Sequence, residues 1–393
     1  MEKKTLISIP CLLTGGTEIQ TINLLNALRS LGHHVYVLCY FEYENLIVDE
    51  IRRTGVTVKL LDLKRGINFI ALIYTLRKEI RAINPDVVHV QYMAPGALPI
   101  IAARLAGVKT VYATVHQPYT KSHGRLAKIM LRASSLLATK FIAVSQNAEK
   151  SWFGSSYLFD EINFPRRNPL HFTIHNAVDT AMIKTIINGI DTNELKKKLS
   201  IPAGATVIGA VSRIRQEKGI DILVEAFTRL NLEATEVHLL LVGTGPDENL
   251  LKKRVLDSGV GSSVTFYGEA EWEKAIQIMA IMDIVVVPSR FEGFGLTAAE
   301  AMAAGKPVVA SDTTGLKEII LNNEAGILFP VNDISALMLA LQKLISNPVL
   351  SHCLGSAGQK RVSENFSLEI FERKIKALYC NYFLSPDRTN FFQ

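Results

Sequence analysis

The sequence predicts an α/β protein built from two Rossmann-like domains, each with a parallel sheet. Its 393 residues are too many for one ordinary core and suit two domains of about 190 residues each. Short β-branched runs alternate with amphipathic helical stretches along both halves, which is the pattern of a parallel sheet covered on both faces. Hydrophobic residues make up 48% of the chain and charged residues 20%, so each half can bury a full core.

The first half contains seven apolar runs with the length and composition of buried strands. We predict strands at residues 6–9, 35–39, 56–61, 87–91, 110–115, 141–144 and 172–175.

The second half repeats this scheme. Its predicted strands lie at 206–211, 237–242, 264–267, 284–288, 308–310 and 326–329, with helices at 219–230, 248–257, 271–282 and 335–346. The join falls around 177–200, where a strand end gives way to a lysine-rich helix, and we place one domain at 1–185 and the other at 186–366. Ligands bind outside the carboxyl ends of the strands in open α/β sheets, so two such domains facing each other would enclose a cleft.

Composition narrows the class of protein. No apolar run reaches the roughly 18 residues that a membrane span needs. The short apolar stretch near the start meets Gly15-Gly16 without a small-residue cleavage site, so we interpret it as the first strand and not as a signal peptide. The four cysteines form no Cys-x-x-Cys pair, which argues against a zinc site and against a disulfide framework. We therefore predict a cytoplasmic protein, either free or peripheral on the inner face of the membrane.

The net charge of +6 is unevenly shared. Residues 1–190 carry 22 Lys and Arg against 13 Asp and Glu, a balance of +9, whereas residues 191–393 carry 21 against 24, a balance of −3. This asymmetry suggests an acidic partner for the first half: nucleic acid, an anionic membrane surface or a phosphorylated acceptor. Because no helix-turn-helix, RNA-binding aromatic pair or Lys/Arg block is present, we expect no nucleic acid.

Two glutamates with seven residues between them in the second half form the most informative motif. Glu292 and Glu300 flank a Gly-Phe-Gly sequence, with a predicted buried strand before them and a run of helix formers from Leu296 onward. Glycine lets backbone approach a ligand closely, and the N–H groups at the start of the helix, near Gly295 to Thr297, favour an anion such as a diphosphate. Glu292 can accept hydrogen bonds from sugar hydroxyls, while Glu300 can accept both hydroxyls of a ribose.

Arg213 and Lys218 lie on the loop after the first strand of the second half. An Arg fork and a Lys point charge on one loop can neutralise a diphosphate and stabilise the charge that grows on it as a glycosidic bond breaks. Surface charge on a connecting loop is the alternative explanation.

The Glu292 to Glu300 element resembles the Glu-x7-Glu signature, with Phe-Gly inside it, of the GT-B-fold retaining glycosyltransferases of the family 4 type. Arg213 and Lys218 resemble that family's Gly-Arg-Leu…Lys-Gly element, with Ser212 in place of its first glycine. The resemblance extends from Gly15 to about residue 366, and it implies the GT-B arrangement of two Rossmann-like domains facing across a cleft. It also implies that the segment 367–393 contains a helix that crosses back to the first domain.

Further family motifs occur in the first half. Gly15-Gly16-Thr17-Glu18 resembles the Gly-Gly-x-Glu loop that meets the donor phosphate, although strand-Gly-Gly-helix is also a generic tight turn. His116 matches the active-site histidine, followed here by Gln117 where the family often has Asp. The resemblance thus implies donor-sugar contacts from His116, Glu292, Gly293 and Phe294, diphosphate contacts from Gly15, Gly16, Arg213, Lys218, Gly295, Leu296 and Thr297, and a ribose contact from Glu300.

By this resemblance we expect retaining transfer of a hexose or N-acetylhexosamine from a nucleoside-diphosphate sugar to a hydroxyl of a glycan or lipid-linked acceptor. The favoured donor is a UDP-sugar, and GDP-mannose is the other option. We expect this reaction to serve surface polysaccharide or glycolipid assembly. The expected catalytic residues are His116, Arg213, Lys218 and Glu292. No Asp-x-Asp element or nucleotidyl-kinase loop is present, and the Gly243-x-Gly245 sequence lacks the third glycine of a dinucleotide site. We therefore expect no cofactor and no metal. A non-catalytic sugar-nucleotide-binding subunit and a sugar-nucleotide 2-epimerase of the same fold are the alternatives.

A basic segment follows His116. We predict a helix over residues 119–140, in which four cations at spacings of four, three and four share one face. Such a face is either solvated or attracted to an anionic membrane surface. Its cations are Lys121, Arg125, Lys128 and Arg132.

Overall fold

The computed structural model describes residues 3–92, 96–163, 169–230 and 237–381. The tail beyond residue 381 and the side chain of Lys121 lie outside what it describes. The chain separates into two compact units, one formed by residues 1–176 with 369–393 and the other by residues 177–368. Each unit has its own parallel sheet with helices around it, so the predicted α/β class is confirmed.

The first unit contains a seven-stranded sheet in the order β3-β2-β1-β4-β5-β6-β7. All of its strand pairs are parallel. The strands are β1 Lys4–Ile9, β2 His34–Cys39, β3 Thr57–Leu60, β4 Val87–Tyr92, β5 Thr110–Val115, β6 Lys140–Ala143 and β7 His171–Thr173. The helices of this unit are α1 Gly16–Ser30, α2 Asn45–Arg53, α3 Phe69–Ile83, α4 Ala97–Leu105, α5 Gly124–Ser135, α6 Gln146–Phe153 and the last helix of the chain, α16 Leu368–Asn381.

The second unit contains a six-stranded sheet in the order β10-β9-β8-β11-β12-β13, again with parallel pairs. Its strands are β8 Thr206–Val211, β9 Val237–Val242, β10 Val264–Gly268, β11 Ile284–Val287, β12 Val308–Ser311 and β13 Ile327–Phe329. Its helices are α7 Thr180–Asn188, α8 Thr192–Lys198, α9 Ile220–Arg229, α10 Glu248–Asp257, α11 Trp272–Met279, α12 Leu296–Ala303, α13 Leu316–Ile319, α14 Ile334–Ile345 and α15 Pro348–Asn365.

Every predicted strand is present, with ends shifted by at most two residues. The reason is burial: all six residues of β5 and all six of β9 are buried, so a central strand covered on both faces is a continuous apolar run. The predicted domain join at 185/186 falls inside α7, which packs on α11 and α12 of the second unit.

The basic helix predicted over 119–140 is shorter than expected. Gly124 adopts a left-handed backbone with φ +76, which the interior of an α-helix cannot contain. Residues 121–123 therefore form a separate 3₁₀ turn, and α5 runs only from Gly124 to Ser135. Lys121 is thus not part of the helical face that Arg125, Lys128 and Arg132 occupy.

The last helix, α16, completes the core of the first unit. Its buried residues include Phe371, Ile375 and Tyr379. The Tyr379 hydroxyl forms a 2.8 Å hydrogen bond with Nδ1 of His89 in β4, and Nε2 of His89 lies 2.6 Å from the Thr114 hydroxyl. Residues 290 positions apart in sequence thereby share one buried polar network.

Among the residues described, no single helix is long and apolar enough to cross a membrane. Two consecutive helices, α14 and α15, reach the required length and hydropathy only as a pair, and that pair is bent by 103°.

The Tyr379 hydroxyl provides a test of how α16 is attached. Tyr379→Phe keeps the ring but leaves a buried nitrogen of His89 without its partner, which should lower the free energy of unfolding of the first unit by about 1–3 kcal/mol. Urea unfolding followed by circular dichroism measures this change. Tyr74→Phe removes the hydroxyl of a tyrosine that is 66% exposed and is the matched control. Equal stability of the two variants would show that the Tyr379 hydroxyl does not hold α16 in place.

Candidate functional site

The predicted phosphate and sugar residues of the second unit follow two neighbouring strands. Arg213 and Lys218 come after β8, and Glu292 comes after β11, which pairs with β8. From β8 the chain continues to β9 on one side of the sheet, while β11 lies on the other side. The gap between β8 and β11 is therefore a topological switch point, where the connections from neighbouring strands run in opposite directions. In open α/β sheets, ligands bind at the carboxyl ends of the strands at such a point.

A close backbone approach brings the two loops together. Gly219 has φ +66, and a Cβ atom at this position would lie 2.0 Å from the carbonyl oxygen of Pro288 at the end of β11. Only glycine can occupy this position. As a result Lys218, directly before it, places its Nζ atom 2.6 Å from Oε1 of Glu292. The structure thus joins two of the predicted catalytic residues in one ion pair.

This ion pair is partly buried, and Glu292 accepts further hydrogen bonds at its side chain and at its backbone carbonyl. The Lys218 side chain is 28% exposed and that of Glu292 is 16% exposed. Ser289 donates a long hydrogen bond of 3.4 Å to Oε1 of Glu292, and the Thr314 hydroxyl donates to the Glu292 carbonyl. Lys218 is therefore neutralised before any ligand binds, so a phosphate group must share this cation with Glu292 or replace it.

Arg290 holds the Lys218 loop in place, a role that the sequence analysis missed. Its backbone N–H donates to the Glu217 carbonyl at 2.8 Å, and its guanidinium makes two hydrogen bonds of 2.8 and 2.7 Å with the carboxylate of Asp221. Although burial opposes the shift, the hydrogen bonds from Arg290 lower the pKa of Asp221. The sequence did contain a signal for this role, because Arg290 lies between the end of a predicted strand and Glu292 of the Glu-x7-Glu motif.

The start of α12, where we predict diphosphate contacts, has backbone N–H groups outside the helical hydrogen bonds. The first helical hydrogen bond of α12 runs from the Ala299 N–H to the Gly295 carbonyl. The N–H groups of Leu296 and Thr297 therefore come before the first residue that donates a helical hydrogen bond. Phe294, which we predict to contact the donor sugar, is 3% exposed, and its ring packs edge-to-face on Phe366 with centroids 5.6 Å apart.

Glu300, the predicted ribose residue, is buried and already has one partner. It is 9% exposed, and its Oε1 accepts a 2.8 Å hydrogen bond from the indole Nε1 of Trp272. Burial raises the pKa of Glu300, and the hydrogen bond from Trp272 partly opposes that rise. One of the two oxygens that a bidentate ribose contact would use is thus engaged. The sequence analysis did not identify Trp272, because it lies in another helix.

In the first unit, His116 lies in a small polar network at the carboxyl ends of β4 and β5. Its Nε2 is 2.5 Å from Oε1 of Gln91, which is 2% exposed. Its Nδ1 atom is buried and has no hydrogen-bond partner within the described part of the chain. A cavity of about 30 Å³ lies beside it, lined in part by His89, Thr114 and Asn176, and such a volume can hold one or two water molecules.

Burial lowers the pKa of both histidines of this network. The pKa of His116 falls to about 4. The pKa of His89 falls to about 3, through burial and the nearby His116. Both imidazoles are therefore neutral at physiological pH, so His116 would act on a ligand as a neutral hydrogen-bonding group and not as a cation.

The glycine loop after β1 is well ordered by local contacts. The Gly15 carbonyl accepts from the N–H of Ile19 in α1, and the N–H of Leu13 donates to the buried Glu18 at 3.4 Å. Gly15, Gly16 and His116 belong to the first unit, whereas Arg213, Lys218, Glu292 and Glu300 belong to the second. Over the described ranges, no three His, Cys, Asp or Glu side chains form a group that could hold a metal ion.

The three remaining cations of the basic helix differ in environment. Arg125 is exposed. Lys128 places its Nζ 4.8 Å from the centre of the Tyr119 ring, and Arg132 donates from Nε to the Trp152 carbonyl at 2.8 Å. The same helix exposes apolar side chains that the sequence analysis assigned no role: Leu126 at 68%, Ile129 at 63% and Met130 at 46%.

Comparison with known proteins identifies the family of this chain. The profile of the family described as glycosyl transferases group 1 matches residues 191–361, and that of glycosyltransferase family 4 matches residues 14–154. The chain belongs to the family 4 type of GT-B glycosyltransferases. The two matches cover the glycine loop and His116 in one half and the Arg213 to Glu300 region in the other.

Relatives of this glycosyltransferase act in polysaccharide and glycolipid synthesis. The lipopolysaccharide core mannosyltransferase LpsB of Rhizobium meliloti is 32% identical over 49% of this chain and 59% of the relative. A GDP-mannose-dependent phosphatidylinositol monomannoside mannosyltransferase of Corynebacterium glutamicum is 28% identical over 72% of this chain and 73% of the relative. The crystal structure of Anabaena HepE in complex with UDP superimposes with a TM-score of 0.80 at 21% identity, covering 96% of this chain and 100% of that one.

The neutral histidines predict how the stability of this glycosyltransferase depends on pH. Unfolded histidine takes up a proton below about pH 6.5, whereas in the folded protein His116 and His89 do so only near their pKa values of about 4 and about 3. The unfolded chain therefore binds more protons in this interval. Stability should fall as the pH drops from 6.5 towards 4, by up to about 1.4 kcal/mol per pH unit for each histidine.

Urea unfolding of the first unit at pH 7.0, 6.0 and 5.0 measures this dependence. A variant with His89→Asn and His116→Asn should show a shallower fall in the free energy of unfolding than the unmodified protein. If the two proteins lose stability equally over this range, the histidines are not held neutral by the fold.

Proposed function

We propose that this glycosyltransferase transfers a hexose or N-acetylhexosamine, with retention of configuration and without a metal, from a nucleoside-diphosphate sugar to a hydroxyl of a glycan or lipid-linked acceptor. The observation that carries the proposal is the partly buried Lys218–Glu292 ion pair, located where the order of the strands diverges and on the loop that leads into α12. It joins a cation suited to phosphate with a carboxylate suited to sugar hydroxyls.

The donor diphosphate would be held by the N–H groups at the start of α12 together with Arg213 and Lys218. As the bond between the anomeric carbon and the phosphate oxygen breaks, negative charge grows on the departing diphosphate, and these fixed positive groups stabilise it. The acceptor oxygen forms the new bond to the anomeric carbon on the same face, and its proton passes to the departing phosphate. Glu292 would hold sugar hydroxyls, and neutral His116 would orient the sugar.

Retention and metal independence rest on different observations. Glu292 is tied to Lys218 at 2.6 Å, so it is a poor candidate for the free nucleophile of a double-displacement reaction. The chain has no Asp-x-Asp element, and the leaving-group charge has protein cations to meet it. For the donor base we favour UDP, the nucleotide in the HepE complex, and keep GDP-mannose, the donor named for the C. glutamicum relative, as the second option.

Incubation with a panel of UDP- and GDP-sugars and native membrane lipids, followed by mass spectrometry, tests this function directly. A transferase releases nucleoside diphosphate and forms a glycosylated product. An epimerase would release nucleotide and an altered free sugar without an acceptor, and a non-catalytic subunit would release neither.

Substitution of Lys218 tests the phosphate contact. Lys218→Ala should lower the turnover of the donor identified by the panel by about 100-fold or more, the scale for loss of one preorganised electrostatic contact. Release of nucleoside diphosphate measures the rate. Lys198→Ala is the matched control, because Lys198 forms an ion pair of the same 2.6 Å length with Glu194 on the exposed surface of the same unit. A folded Lys218 variant with full turnover would remove Lys218 from the mechanism.

We also propose that α5 contacts an anionic membrane surface, which would suit a lipid-linked acceptor. Between Val87 and Ala148 the chain has seven Lys and Arg and no Asp or Glu. Within this stretch α5 exposes Arg125 beside Leu126 and Ile129. A helix that combines exposed cations with exposed apolar side chains binds at the interface of anionic lipid, through charge attraction and apolar burial together.

Vesicle sedimentation tests this surface. The protein should bind anionic vesicles more than neutral ones, and the binding should weaken with salt, because the Debye length falls to about 8 Å at physiological ionic strength. Arg125→Glu with Lys128→Glu should abolish the salt-sensitive part while sparing activity on a soluble acceptor mimic. Lys197→Glu with Lys198→Glu changes the net charge equally on the exposed face of α8 and should leave binding intact. Equal loss in both double variants would mean that only net charge matters.

A further inference from the structure

The indole of Trp272 is hydrogen-bonded to a residue that the proposed function assigns to the ligand. Trp272 is the first residue of α11, after the loop that follows β10, and it is only partly buried. Its Nε1 lies 2.8 Å from Oε1 of Glu300 in α12. β10 and β11 are separated by two strands in the sheet, so the contact joins helices that follow strands which are not neighbours.

The burial of Glu300 explains why such a donor is needed. Glu300 is 9% exposed, and an ionised carboxylate that loses water is destabilised unless polar groups replace it. Burial accordingly raises the pKa of Glu300, while the indole N–H acts in the opposite direction. A hydrogen bond to a charged acceptor is stronger than one between neutral groups. It also restrains the position of Oε1, which must stay in line with the indole N–H.

We propose that Trp272 is a positioning residue for nucleotide recognition: it fixes Oε1 of Glu300 so that Oε2 accepts a hydrogen bond from a ribose hydroxyl of the donor. The inference rests on the proposed function, in which Glu300 contacts the ribose. In place of the expected bidentate contact with the ribose, Oε1 of Glu300 accepts a hydrogen bond from the protein and Oε2 accepts one from the ligand. Trp272 acts through Glu300 and need not touch the nucleotide.

The chain supplies a matched control, because it has only two tryptophans. Trp152, in the first unit, also uses its indole N–H, which donates to the backbone carbonyl of Gln117 at 2.7 Å. Trp152→Phe and Trp272→Phe therefore remove the same chemical group, one from a backbone partner and one from Glu300. Both keep an aromatic ring, and circular dichroism and thermal unfolding verify that both variants fold.

Calorimetry with ribose and deoxyribose nucleotides tests the proposal. UDP and GDP are titrated into the unmodified protein, and the tighter one is compared with its 2′-deoxy form. Trp272→Phe should weaken binding of the ribonucleotide by about tenfold, the scale for one hydrogen bond to a charged group, and should reduce the preference for ribose over deoxyribose. Glu300→Gln should do the same, and adding Trp272→Phe to it should cause no further loss. Trp152→Phe should bind like the unmodified protein.

The failing outcomes separate the inference from the function on which it rests. If Glu300→Gln reduces the ribose preference but Trp272→Phe does not, the positioning role is overturned and the ribose role of Glu300 stands. If Trp272→Phe weakens both nucleotides equally, Trp272 supports the fold or another contact, and the positioning role is again overturned. If Glu300→Gln leaves the affinity and the ribose preference unchanged, the assignment of Glu300 to the ribose fails, and the inference fails with it.

Discussion

The ion pair between Lys218 and Glu292 is the interaction that joins the loops after β8 and β11 in this glycosyltransferase. It exists because Gly219 lets one loop lie against the end of β11, where any side chain would meet the Pro288 carbonyl at 2.0 Å. Arg290 then fixes the same loop from the other side through Glu217 and Asp221. The cation and the carboxylate are thus set by backbone packing, and a ligand meets groups whose positions are already determined.

The same logic extends to Glu300. Three partly or fully buried carboxylates at these strand ends have a protein partner: Glu292 has Lys218, Asp221 has Arg290 and Glu300 has Trp272. Partnering avoids the cost of an isolated charge in a low-dielectric site. It also means that substrate binding exchanges one set of contacts for another, so the affinity reflects a difference between two polar arrangements and not a simple gain.

Sequence patterns predicted the strands and the motif residues because both depend on local information. A strand buried on both faces is a continuous apolar run, and the Glu292 to Glu300 spacing is visible along the chain. The residues that sequence missed act through tertiary contacts. Trp272 meets Glu300 from another helix, and Tyr379 reaches His89 over 290 positions of sequence. The basic helix was drawn too long for a different reason, since helical periodicity does not reveal that Gly124 adopts φ +76.

The two units differ in the charge of the polar groups that are buried at the ends of their strands. At the strand ends of the second unit, formal charges are kept and paired, which suits a diphosphate. At the corresponding ends of the first unit, His116 and His89 are held neutral by burial and bonded to Gln91, Thr114 and Tyr379. Neutral donors and acceptors bind sugar hydroxyls without attracting phosphate. The strand ends of the two units therefore differ in kind: paired charges lie at those of the second unit, and neutral hydrogen-bonding groups lie at those of the first.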